Sequence, residues 1–286
     1  MRVPEILSAV TTPFLPDGDI DAPGLRRNLE RLEPLVDGVF VAGTTGEFPA
    51  LEPGEHARIV EISLAVFGPE RVVVHVGAPS TRQALAMARQ AQVLGARRAA
   101  ALTPYYLPAT VPGILRHWAA IAEAFAGEVY GYVFPDVALT DLLPEGLPAV
   151  VDAGVVGLKV SGRASQRVPE YLQQAPDGFR LWSGNDADLP RVLEAGGWGT
   201  VSGVSSVCPQ PWARLRDALR DGDDGAAAAA QQVIEEIVPV LGPSIANLKE
   251  GLDLLDLAGG PCRMIIDPPT PTHRTRIADA VRLGAN

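Results

Sequence analysis

Short apolar runs rich in β-branched residues alternate along most of the chain with longer stretches whose apolar positions recur every three or four residues. The strand-like runs are "ILSAVTTPF", "GVFVAG", "RVVVHVGA", "RRAAALTPYY", "EVYGYVFP", "VVGLKVSG", "FRLWSG" and "GTVSGVSSV", eight in all. Between them, "EPGEHARIVEISLAVFG" and "TRQALAMARQAQVLG" carry apolar residues at helical spacing and end at glycine, a common helix stop. The stretch after the fifth run, "LTDLLPEGLPAVVDAG", is proline-rich and gives the weakest helical pattern.

Strand–helix alternation implies a parallel sheet covered by helices. Eight units at fairly even intervals predict a closed (β/α)8 TIM barrel over residues 5–222 rather than an open, doubly wound sheet. Residues 223–286 read as helices broken by Gly-Pro and by a "DPPTPTH" loop. No linker sets them apart, so a C-terminal helical extension packed on the barrel is expected.

Composition narrows the function classes. The chain has 286 residues, 47% of them hydrophobic, enough for a substantial core. A formal net charge of −10 argues against nucleic acid or an anionic membrane as partner, while a local pocket can still take an anionic small substrate. Cys208 and Cys262 show no metal or redox spacing and read as small apolar residues. His56, His75, His117 and His273 are scattered, with no HxH or HExxH pattern, so neither a metal nor another cofactor is expected. The N-terminal stretch lacks an apolar signal core and no apolar run reaches membrane-spanning length, so the expectation is a cytoplasmic protein.

The chemistry gathers where strands end. "TTP", "GTTGE", "TPYY", "YVFP", "LKVSG", "SGND" and "SGVSS" all fall at strand C-termini, the face on which active sites of this fold lie. Among 24 Lys plus Arg residues there are two lysines, Lys159 and Lys249, and Lys159 sits inside an apolar strand. Arginine stays protonated, whereas a desolvated lysine can become a nucleophile suited to Schiff-base chemistry. A strand-edge lysine reaching for water is the plainer alternative. Thr44 and Thr45, between Gly43 and Gly46, offer hydroxyls and N–H groups to a carboxylate, or else form an ordinary βα turn. Tyr132, Tyr105 and Tyr106 share that rim, where a phenol can relay protons or simply be core.

In order and spacing, "TTPF", "GTTGE", "TPYY", "YxxP", "GLK", "SGND" and "GTVSGVSSVCP" resemble the dihydrodipicolinate synthase/N-acetylneuraminate lyase family of class I aldolases and lyases. The resemblance covers almost the whole chain. It implies Lys159 as the imine-forming residue toward pyruvate or a larger 2-keto acid, Tyr132 as the proton-transfer residue, and Tyr106 as a tyrosine reaching a neighbouring subunit's site. It further implies Thr44 and Thr45 as carboxylate ligands, a pocket closed by backbone near Val201, and a homo-oligomer, dimer or tetramer. Val133 stands where the family usually has asparagine, and "PDVALT" lacks the arginine that synthases place there for the second substrate. Asn185 and Ser206 depart similarly. The expected function is therefore aldol cleavage of a 2-keto-3-deoxy-type acid to pyruvate and an aldehyde, or the reverse. The alternatives are 4-hydroxy-tetrahydrodipicolinate synthesis from pyruvate and aspartate semialdehyde, and a keto-acid-binding barrel without turnover.

Overall fold

The computed structural model describes residues 3–285. Eight strands, β1 (Glu5–Ala9), β2 (Gly38–Val41), β3 (Val72–His75), β4 (Arg98–Leu102), β5 (Glu128–Val133), β6 (Gly157–Val160), β7 (Arg180–Ser183) and β8 (Gly199–Ser202), run in chain order and close on themselves. The expected TIM barrel is thus the observed fold; seven strands lie within the apolar runs, and β1 begins one residue before its run, at Glu5.

Helix boundaries follow local chemistry. Glu52 and Glu55 form a capping box for Pro53–Phe67, and Gly68, at φ 75°, ends it. Ser80, Thr110, Asp223 and Ser244 accept N–H bonds in the first turns of Thr81–Val93, Val111–Ala124, Asp224–Leu241 and Ile245–Asp253. The proline-rich stretch yields a 3₁₀ turn, Pro144–Gly146, and a six-residue helix, Leu147–Asp152. Beyond the barrel come Asp224–Leu241, Ile245–Asp253 and Pro271–Ala285, C-terminal helices interrupted near Gly242–Pro243 as the sequence suggests.

The chain divides into two compact units, Val72–Val201 and the remainder. In the remainder, Asp224–Leu241 packs on Gln210–Asp221 and on Pro271–Ala285. In Val72–Val201, side-chain parity organises the core. The β5–β6 register sets Tyr130 opposite Gly157, Gly131 opposite Leu158 and Tyr132 opposite Lys159. Because successive residues point to opposite faces, Tyr130, Tyr132 and Lys159 share one face while Gly131 and Leu158 share the other. Trp118, from Val111–Ala124, covers Gly131 and identifies its face as the helix side, which leaves Lys159 on the interior.

Toward the strand N-termini of this unit the interior is polar and satisfied. Arg98 lies 5.5 Å from the Tyr130 ring centroid and 5.7 Å from that of Trp182. Tyr130 donates to Glu128 at 2.5 Å, and Arg180 donates to both Glu128 and Tyr130 at 2.8 Å. Burial pushes the Tyr130 phenol well above its ordinary value, so it stays protonated and donates.

A Cβ on Gly131 would lie 2.6 Å from Leu158 and 2.8 Å from Trp118. Gly131→Ala is expected to lower unfolding free energy by about 1–3 kcal/mol through overpacking, read from denaturant midpoints at unchanged slope.

Candidate active site

Lys159 occupies the third position of β6, is 6% exposed, and stands beside Tyr132 of β5 in register. Its Nζ lies 4.2 Å from the Tyr132 ring centroid. Tyr132 is itself fully enclosed, with His75 edge-on at 6.3 Å and Phe134 stacked at 6.1 Å between centroids. His75 Nε2 accepts the Leu102 N–H at 3.3 Å. At the end of β7, Gly184 gives the lysine its room. A Cβ there would collide with Ser161 Oγ and come 3.3 Å from Lys159 Cε. The strand-edge alternative for Lys159 does not fit this burial. An enclosed amine beside a phenol can instead attack a carbonyl while a proton moves nearby.

Thr44 and Thr45 lie in the turn that follows β2, within the other unit. The turn is held from several sides: Glu47 N–H donates to Thr44 O at 3.0 Å, Phe48 N–H to Gly43 O at 3.2 Å, and Thr12 Oγ1 to Gly46 O at 2.8 Å. Its last residue, Glu47, is fully buried at φ 59°. Glu47 Oε1 meets Lys249 Nζ at 2.6 Å, and Oε2 accepts the N–H groups of Arg263 and Met264 at 2.8 and 2.7 Å. Burial pulls the Lys249 ammonium below its ordinary value, while Glu47 pushes it back up. Sequence reading missed this pair, although the scarcity of lysine that singles out Lys159 applies equally to Lys249.

The remaining candidates are spread along strand ends. Val201 is buried in β8. Tyr106 follows β4 in a left-handed conformation, φ 77°, and is 81% exposed. The adjacent β5 loop carries Leu139, exposed and also at positive φ, and Thr140 ties the two loops by accepting the Ala109 N–H and receiving Thr103 Oγ1 on its carbonyl. At the β6 exit Asp136 accepts the Arg163 N–H at 2.8 Å, and the Arg163 guanidinium lies 3.6 Å from Asp136 and 3.7 Å from Asp141. Burial lifts the Cys208 thiol to about 12, which keeps it out of nucleophilic chemistry at neutral pH. Among the described residues no His, Cys, Asp and Glu side chains group as a metal site, and no helix is long and apolar enough to cross a membrane.

A barrel interior that pairs a buried lysine with a tyrosine is the arrangement of a class I aldolase or lyase. Comparison with known proteins makes the assignment specific: residues 2–283 match the dihydrodipicolinate synthetase family, and the chain belongs to it. It is 33% identical over 279 residues to a 4-hydroxy-tetrahydrodipicolinate synthase from Methylibium petroleiphilum, covering 96% of this chain and 95% of that protein. A synthase of the same name from Xanthomonas campestris pv. campestris is 36% identical over 232 residues, 80% of this chain and 77% of the other. The fold matches dihydrodipicolinate synthase from Thermotoga maritima with TM-score 0.91 at 26% identity, across 99% of both chains. It also matches an E. coli K12 prophage protein of that family, solved with pyruvate, with TM-score 0.90 at 23% identity and 99% of both chains. The chain is accordingly an enzyme of a lyase and synthase family that works through a lysine Schiff base.

Arg263 also clamps Glu55, at 2.6 and 2.7 Å, and these bonds hold the Glu55 carboxyl below the ordinary glutamate range. A lowered folded value means that its stabilisation is complete above the unfolded value of about 4.3 and fades as pH falls through the folded one. Unfolding titrations from pH 6 downward are expected to show a steeper acid loss in the wild type than in Glu55→Gln.

Proposed function

We propose that the chain is a Schiff-base aldolase that cleaves a 2-keto-3-deoxy-type acid to pyruvate and an aldehyde, or joins them. The observation that carries this reading is the enclosed Lys159–Tyr132 pair. The Lys159 amine attacks the C2 carbonyl, forming a C–N bond; one proton from the amine and one from Tyr132 pass to the departing oxygen, and water leaves to give the iminium. The C3–C4 bond then breaks with its electrons drawn toward the iminium nitrogen, while the Tyr132 phenolate takes the proton of the C4 hydroxyl and the aldehyde departs. Protonation of the enamine at C3 and hydrolysis return pyruvate and the free amine. In this reading Thr44, Thr45 and the backbone near Val201 receive the pyruvate portion, and no cofactor takes part.

Two observations bear on the partner substrate. The relatives named above are 4-hydroxy-tetrahydrodipicolinate synthases, which favours condensation of pyruvate with aspartate semialdehyde as a second reading. Against it, Val137 and its neighbours supply no arginine after "YVFP", and Arg163 is already matched by Asp136 and Asp141. A neutral, hydroxylated aldehyde suits that environment better than a second carboxylate. The reading also takes the protein as a cytoplasmic homo-oligomer, dimer or tetramer, with residues 5–222 as barrel and 223–286 as extension. The exposed Tyr106, which the family resemblance sends to a neighbouring subunit, supports the oligomer.

Incubation with pyruvate and borohydride, followed by intact mass and peptide mapping, is expected to give one reduced adduct on Lys159. Lys159→Arg should fold, lose the adduct and lose turnover; retained turnover would refute the mechanism. Assays with a panel of aldehydes beside aspartate semialdehyde then separate the two readings. The aldolase reading expects the hydroxylated aldehydes to be turned over at least about tenfold more efficiently, and the reverse order would make the chain a synthase. Sedimentation at assay concentrations should give a dimer or larger, and a monomer with full activity would remove Tyr106 from the site.

A further inference from the structure

His75 ends β3 and is closed to solvent, yet the proposed reaction assigns it no step. Its partner in register is Ala100, which in turn stands opposite Tyr130, so His75 shares the interior face with Tyr130, Tyr132 and Lys159. Two strand spacings, roughly 9–10 Å, separate β3 from β5. At this level β4 puts only the methyl group of Ala100 on the interior face. The imidazole therefore reaches past β4 to the Tyr132 ring, with 6.3 Å between centroids and the planes at 87°. All of these residues belong to the unit Val72–Val201.

The imidazole is itself held. Its Nε2 accepts the Leu102 N–H at 3.3 Å, so β4 fastens the ring that β3 carries. Gly77 keeps that bond possible: a Cβ there would stand 2.6 Å from Leu102 N and 2.7 Å from Nε2. A bonded ring with two torsions is a firmer wall than a flexible chain of similar bulk. Burying a polar ring also carries a desolvation cost that an apolar residue would avoid, which points to a use beyond filling space. Three side chains of this unit enclose the Tyr132 ring. Phe134 stacks on it at 6.1 Å with planes at 29°, Lys159 Nζ lies over it at 4.2 Å, and His75 supplies the perpendicular contact.

We infer that His75 is a positioning residue for Tyr132: its anchored ring fixes the phenol beside Lys159, so that the hydroxyl is in place when the carbinolamine loses water. The inference rests on the Schiff-base reading, in which Tyr132 delivers one of the two protons, and adds to it a residue that governs where that proton is held. In this scheme His75 exchanges no proton itself and acts only through the phenol.

The test is a double-mutant cycle of His75→Gln and Tyr132→Phe, read as the rate at which pyruvate gives a borohydride-trapped adduct on Lys159. Glutamine keeps an acceptor for the Leu102 N–H but replaces the rigid ring with a flexible chain. His75→Asn, with the same acceptor on a shorter stem, serves if the first variant does not fold. His75→Gln alone should slow adduct formation about tenfold, as for a reacting group displaced by less than about 1 Å. The pyruvate concentration for half-maximal rate should stay within about twofold. Tyr132→Phe keeps the ring and loses the hydroxyl, so in that background the same change should alter the rate by less than about twofold. A role in structure alone would slow both backgrounds equally or raise the half-saturating concentration. Either result, or an unchanged rate in His75→Gln, would overturn the positioning role. If Tyr132→Phe forms adduct at the wild-type rate, or the wild type forms none, the Schiff-base reading fails first and the role of His75 falls with it.

Discussion

The pairing of β5 with β6 fixes which side chains face the barrel interior. A strand exposes alternate residues to opposite faces, so a slip of one position would turn Lys159 toward the helices and bring Leu158 inside. Several local features hold the observed register. Tyr130 and Tyr132 require interior space, Gly131 leaves room for Trp118 on the helix side, and Gly157 avoids a clash with the Arg180 backbone. The polar cluster of Arg98, Glu128, Tyr130 and Arg180 satisfies the strand starts of the same unit. The Lys159 amine is placed by packing several residues away from it, on a strand of four residues.

The two lysines illustrate two uses of the same side chain. Lys159 lies over an aromatic ring, where it can approach a carbonyl. Lys249 is pinned between a carboxylate and a carbonyl and is committed to structure. Arginine could not easily replace either. Beside Glu47 one compact charge makes the contacts that a planar fork would have to remake, and arginine cannot supply a neutral nitrogen. Elsewhere the chain uses arginine for forked contacts, as in Arg263 with Glu55.

Much of the architecture was legible because it is local. Apolar runs, glycine stops and capping residues name the eight strands and the longer helices, and polar clusters at strand ends mark one rim. Lys159 could be singled out as a scarce lysine inside an apolar strand, and Tyr132 by its place at a strand end and by the family resemblance. Three things were not legible. The Glu47–Lys249 contact joins residues at opposite ends of the chain, and no local pattern announces it. The left-handed backbone of Tyr106 and of Leu139 falls on residues other than glycine, in loops joined through Thr140, and so carries no local signature. His75 looked like one of four scattered histidines, and register alone brings its ring to the edge of Tyr132.

A chain with two lysines, both inside, has a consequence for its chemistry as a reagent. Its surface cations are arginines, which acylating and reductively alkylating reagents largely ignore. Such reagents, applied to the folded protein, meet no exposed lysine among the described residues. Slow modification at Lys159 or Lys249 then reports how often the fold admits a small electrophile, so the folded protein carries a built-in gauge of access to its own interior.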